Sequence, residues 1–387
     1  MNKISKNIKN EYLYRFLSSF DITSAIWVLY LGYKGMTLAE VGLLEGIFHV
    51  TGFLSELPTG ALADLFGRRK IMIIGRLTSL ISAIIMLFSN SFLGFAIGFI
   101  LSAWGYNLNS GSEEALIYDS LKVLKREEEY LKINGKINLI IEVSQGLAVF
   151  IGGLLSEISF SFSYITAIII GIFSLLVSFK FTEVDIREPH EERITVINHF
   201  KTSIKIVKEN KKLLNILIFF PTIYTFSAII YFYGQQFLSD GGYSRVNISI
   251  VFLINGVLSS IGAIISSKVY AKFKRIGWIS ISMIISILIL IMGNSTKKLS
   301  VITFLFVGFF TSILQPISSK LINSIVASKQ RATIISVESM FYSMMMIILF
   351  PICGFIGDKF ALETSFKFIG IIGLMITGIE IFIIKKK

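Results

Sequence analysis

The feature that most limits this chain is a succession of continuously apolar runs, each about the ~20 residues that a helix needs to cross a hydrocarbon layer, separated by short charged clusters. Only helices and closed barrels satisfy their backbone hydrogen bonds inside lipid. A barrel would alternate apolar and polar residues with a period of two, and these runs do not alternate. Helices are therefore expected near 12–33, 38–59, 70–89, 92–113, 136–156 and 160–180, and again near 213–237, 246–268, 276–293, 300–325, 333–355 and 363–384. The expected fold is an all-α integral membrane protein of twelve transmembrane helices in two six-helix halves, 1–181 and 213–387, joined by a polar linker at 182–212. At 53% hydrophobic and only 16% charged residues, no water-soluble class fits.

The net charge of +12 would suit nucleic acid were it not for its placement. Outer loops hold six of the 37 Lys and Arg, and most of the rest fall in loops of the opposite side. By the positive-inside rule both termini are expected in the cytoplasm, in a multi-pass protein of the cell (inner or plasma) membrane. The first apolar run follows a polar start, Met1 to Asn10, with no small-residue cleavage signal, and is expected to be a retained helix. Cys353 is the single cysteine, which excludes a disulfide framework or a Cys-based metal site within the chain. In the linker, Ile197, Phe200, Ile204 and Val207 recur at helical spacing with Lys201, Lys205, Lys208 and Lys211 on other faces. That pattern fits an amphipathic helix on anionic lipid, or else a solvated connector.

Between the second and third runs stands Gly60-Ala61-Leu62-Ala63-Asp64-Leu65-Phe66-Gly67-Arg68-Arg69-Lys70. The glycines are expected to allow a tight turn, Asp64 to accept charge-assisted hydrogen bonds or face a helix N-terminus, and Arg68 to form a bidentate clamp. This stretch resembles the loop signature G-x-L-A-D-x-x-G-R-R/K of the major facilitator superfamily. The resemblance implies two pseudo-symmetric halves around a midplane site, alternating access, and a conformational latch built from Gly60, Asp64, Gly67, Arg68 and Arg69. Leu65 stands where the family often has a basic residue, so one latch contact is missing. Glu56-Leu57-Pro58-Thr59-Gly60 and the run Gly111 to Ser120 resemble segments of bacterial drug-efflux members. Helix four has Trp104-Gly105-Tyr106-Asn107 in place of the family's usual Arg, and helix five lacks the antiporter Pro but keeps Gly146, Gly152 and Gly153.

Ionisable groups within spans cost free energy and mark functional candidates. Asp21, Glu142, Glu45 and His49 are the proton-coupling candidates, with Asp21 and Glu142 expected to be buried near mid-span. Asp21 has Ser18 or Arg76 as candidate partners, Arg76 being otherwise a snorkelling side chain, and Glu56 is expected to pair with Arg68 or Arg69. Polar stripes at i, i+3/i+4, i+7 mark faces. They give the cavity candidates Asn107 and Gln145 in the first half, and Tyr224, Ser227, Tyr231, Gln235, Asn255, Gln315 and Tyr342 in the second, with Ser259, Ser312, Ser319 and Glu338 on the same stripes. Interhelical hydrogen bonding explains any one stripe equally well. In the resembled family the helices that carry them line the cavity.

The expected function is secondary active transport, with proton-coupled efflux of a small amphipathic or hydrophobic compound first and a nutrient importer or symporter second. A membrane-embedded sensor or enzyme comes last, because the sequence has no nucleotide-binding loop and no His/Asp cluster at ligand spacing. No catalytic residue, metal or cofactor is expected. The expected partners are a small-molecule substrate, protons and membrane lipids, not nucleic acid, and the expected state is a monomer.

Overall fold

The computed structural model describes residues 2–184, 207, 210–295, 297–326 and 331–385; within the helix that carries the glycine-rich motif, the side chains at 57, 58, 60, 61 and 64 are outside this description. Most of the expected amphipathic linker helix also lies outside it. All regular elements among the described residues are helical.

The first span is made of two pieces, α1 (Asn2–Ser18) and α2 (Trp27–Tyr33), interrupted around Asp21. It is followed by α3 (Leu38–Phe66), α4 (Arg68–Phe88), α5 (Phe92–Asn109), α6 (Ser112–Leu124), α7 (Tyr130–Ile158) and α8 (Phe160–Ser178). After the linker come α9 (Lys211–Asp240), α10 (Arg245–Met292), α11 (Lys297–Ile325), α12 (Arg331–Phe360) and α13 (Leu362–Lys385). Nine helices among the described residues are long and apolar enough to cross a membrane. α10 holds two of the expected spans joined at a kink at Lys274, α5 is a further apolar helix, and α1 with α2 forms the first span, which accounts for the twelve.

Short polar residues set the helix starts. Ser91, Ser159, Asn210 and Ser244 each accept a hydrogen bond from the backbone N–H three residues on, at 3.3, 3.1, 3.0 and 3.2 Å, satisfying donors that a helix leaves open at its first turn. Ser159 alone separates α7 from α8. Prolines 221, 316 and 351 lie inside α9, α11 and α12, where each removes one ladder donor.

The chain sorts into two compact units, Met1–Tyr30 with Ile47–Glu192 and Leu31–Gly46 with Arg193–Lys387. In the first, Tyr14, Met72, Leu116, Ile117, Leu121 and Phe181 pack into an apolar core that ties α1, α4, α6 and the chain after α8 together. In the second, glycines let backbones meet: a Cβ at Gly262 would run into the Phe309 carbonyl, and one at Gly42 would come within 2.6 Å of Pro351 Cα. The opening turns of α3 belong to this second unit for a specific reason. Asp358 Oδ1 and Oδ2 accept from Leu38 N and Ala39 N at 2.8 Å each, capping the α3 N-terminus. Tyr233 Oη donates to Leu38 O at 2.8 Å and stacks on Phe350, with ring centroids 4.4 Å apart.

The motif loop differs from expectation. α3 runs helically through Gly60 as far as Phe66, and the whole turn is made at Gly67, whose φ of 93° no L residue adopts easily. The Glu183 carboxylate accepts from Arg68 N and Arg69 N at 3.0 Å each and so caps α4. We expect Glu183→Ala to lower stability by about 1–2 kcal/mol, the range for losing an N-terminal cap. An unfolding midpoint in detergent equal to that of the parent protein would contradict this capping role.

Candidate functional site

In the second unit, four helices line an open cavity of about 560 Å³. α9 contributes Tyr224, Ser227 and Tyr231, α10 contributes Asn255, α11 contributes Gln315, and α12 contributes Tyr342 with Glu338 one turn before it. The spacing explains the convergence: residues three, four and seven apart share a helix face, so each otherwise apolar helix turns one polar stripe the same way. Six of the seven cavity candidates of the second half thus line one space. Gln235 does not; it is fully buried in α9 and absent from the cavity wall.

Several of these groups are fixed by neighbours. Ser227 Oγ and Thr311 Oγ1 are 2.6 Å apart and link α9 to α11. Asn255 Nδ2 donates to Phe304 O at 3.3 Å, and its amide fills the space over Gly308. The Tyr231 ring packs on Phe252 with centroids 4.6 Å apart. Ser318 Oγ donates to Glu338 Oε1 at 2.7 Å. The Tyr224 hydroxyl is buried beside Ser318.

The first-half candidates are placed differently. Asn107 Nδ2 donates to Gly52 O at 2.7 Å and to Ser55 Oγ at 2.8 Å, fastening α5 to α3. Gln145 and Glu142 are exposed on α7. Asp21 is also exposed, in the interruption of the first span, where Thr23 N and Oγ1 donate to its Oδ1 at 2.9 and 2.7 Å. The burial expected of Asp21 and Glu142 is therefore not found, because the broken helix turns Asp21 outward and Glu142 falls on an open face. Glu45 is buried in the second unit, and His49 is half-buried, its ring edge-on to Phe48.

Of the latch candidates, Gly60 and Asp64 have side-chain positions outside the described residues. Gly67 makes the turn, Arg68 pairs with Asp119 on α6, and Arg69 Nη2 donates to Phe179 O at 3.0 Å. Asp119 is thus a partner of Arg68 that the sequence pattern did not reveal.

One constellation escaped the sequence reading. Glu11 and Arg15 of α1, Arg76 of α4 and Glu113 of α6 form a buried network of two positive and two negative groups. Arg15 Nε bonds Glu11 Oε1 at 2.7 Å and its Nη1 pairs with Glu113 Oε2. Arg76 Nη2 lies 3.5 Å from Glu113 Oε1 and the guanidinium sits 5.4 Å from the Tyr14 ring centroid. The Tyr14 hydroxyl is 2.8 Å from Glu113 Oε1 and 3.0 Å from Asn109 Oδ1. Arg76 is thus an internal counter-ion paired with Glu113, not with Asp21. The i, i+4 spacing of Glu11 and Arg15 was the one visible signal, at a polar start that resembles any solvated terminus.

Comparison with known proteins places this arrangement. Over 367 residues the chain is 22% identical to the uncharacterized MFS-type transporter YxaM of Bacillus subtilis, covering 91% of this chain and 89% of that protein. It is 22% identical over 339 residues to the quinolone resistance protein NorA of Staphylococcus aureus, covering 84% of each. Its fold superposes on the nucleoside transporter NupG with a TM-score of 0.83 at 12% identity over 97% of this chain and 98% of that one, and on a D-xylose-proton symporter with 0.72 at 13% over 97% and 95%. The family model described as Major Facilitator Superfamily matches residues 12–296 and 216–385, and with twelve spans and the Gly60–Lys70 motif between the second and third, the chain belongs to that superfamily of membrane transporters.

Proposed function

We propose that this transporter exports a small amphipathic or hydrophobic compound across the cell membrane in exchange for protons, with both termini on the cytoplasmic side. The observation that carries this reading is the cavity of the second unit, where tyrosine rings offer apolar faces and hydroxyls, amides and one carboxylate offer polar anchors, as suits an amphipathic ligand. The similarity to NorA supports export, and the placement of Lys and Arg supports the orientation. Substrate and coupling-ion sites in such folds lie near the midplane, and the halves alternate access around them. The groups proposed to carry the proton are Asp21, Glu142, Glu45 and His49, of which Glu45 is the buried carboxylate.

The test is flux in liposomes. Purified protein is reconstituted, a pH gradient is imposed, and lumenal pH is followed while lipophilic cations and neutral drugs are added. Substrate-triggered proton movement opposite to substrate movement is the expected result. Co-directional movement of proton and a sugar, nucleoside or peptide would overturn export in favour of import.

A further inference from the structure

We propose that the cavity of the second unit selects a monovalent organic cation and that Glu338 is its counter-ion and the specificity-determining residue. The inference rests on reading the cavity as the substrate site, and it assigns the charge class that this reading leaves open.

Among the described lining residues Glu338 alone carries a formal charge. It is half-buried and accepts a hydrogen bond from a neutral donor, Ser318. Among the described residues no cation pairs with it; a carboxylate partly withdrawn from water is costly without one, and a cationic ligand supplies the missing charge. What surrounds it suits the rest of such a ligand. Tyr342, one helical turn after Glu338, shares its face of α12, and Tyr224 and Tyr231 line the same space from α9. Aromatic faces attract organic cations through the ring quadrupole and accommodate their apolar bodies. The Tyr231 ring is held by Phe252, so that surface is in place before a ligand arrives. Ser227, Asn255 and Gln315 are neutral, so they provide shape and hydrogen bonds without competing for the charge. A single negative group favours one positive charge: a dication would leave a charge uncompensated, and an anion would meet repulsion.

The experiment is equilibrium binding to the full-length protein in lipid nanodiscs, with tetraphenylphosphonium as the cationic probe and triphenylphosphine oxide as a neutral probe of related shape. The parent protein should bind the cation at least tenfold more tightly than the neutral compound. Glu338→Gln should weaken cation binding at least tenfold while leaving the neutral probe within twofold, which also shows that the cavity has folded. Glu338→Asp, which keeps the charge, should recover most of the cation preference. Equal losses for both probes, no loss for either, or no preference in the parent protein would each overturn the proposal. The two readings fail separately. Charge-selective binding without proton-linked flux in liposomes would overturn export and leave this assignment standing, whereas flux that ignores Glu338→Gln would do the reverse.

Discussion

Replacing Glu113 with alanine is expected to lower the stability of the protein by about 3–5 kcal/mol, the range for removing one member of a buried ion pair. The reason is what the substitution leaves behind. Glu113 faces both Arg15 and Arg76, with only 3% of its side chain exposed, so its loss strands the Arg76 guanidinium in a poorly hydrated interior and leaves Arg15 with Glu11 alone. Glu11 compensates Arg15 alone, through Oε1, and its own Oε2 has no hydrogen-bond partner. The Tyr14 hydroxyl would also lose one acceptor while keeping Asn109. Pairing Glu113→Gln with Arg76→Met, which removes one charge of each sign, should recover a substantial part of the loss. Thermal and denaturant unfolding in detergent measures both. If the single variant unfolds at the parent midpoint, or the double variant is worse than the sum of its parts, the network does not hold these helices together.

Replacing Gly152 with alanine is expected to be nearly as damaging, by about 3 kcal/mol, at the upper end of typical overpacking. A Cβ at this position of α7 would run into the carbonyl oxygen of Ile22, in the interruption between α1 and α2. Both parties are backbone, so no side-chain rotamer relieves the clash, and either α7 retreats or the interruption is remade. Gly135 on the same helix has nothing within 4 Å of a Cβ and is the control, since Gly135→Ala should be neutral or slightly stabilising through its helix propensity. Equal unfolding midpoints for Gly152→Ala and Gly135→Ala would show that the close approach does not shape the protein.

These two sites mark where the sequence was hard to read. The spans were legible because lipid demands long unbroken apolar runs, and the second-half cavity was legible because a few polar residues on such helices must share a face. The interruption at Asp21 was not, since Ser19-Phe20-Asp21-Ile22-Thr23-Ser24 contains neither Gly nor Pro. Its cause is tertiary: Thr23 bonding Asp21 Oδ1 closes a local turn, and Gly152 on another helix makes room for it. The network at Glu113 was hidden because its members come from separate parts of the chain, and no local pattern links Arg76 to Glu113. Gln235 shows the limit of the stripe argument. It lies eleven residues after Tyr224, close to three full turns, yet neighbouring helices cover it.

Lys274 gives α10 a mechanical character that a flexible loop would not. Its φ of 46° and ψ of −126° place a side-chain-bearing residue where glycine is normally found, and this one residue reverses the path between two spans. An ordinary loop absorbs the movement of one helix as slack before the next one responds. Here there is no slack. Any tilt of Arg245–Phe273 becomes torque on Arg275–Met292, as in a bent lever whose elbow is one residue long. Ser159 joins its two helices almost as tightly, but through extended backbone that costs nothing to hold, whereas Lys274, like Ala361 with its φ of 81° between α12 and α13, holds a side-chain-bearing residue at positive φ, and torsional strain is available there as a spring.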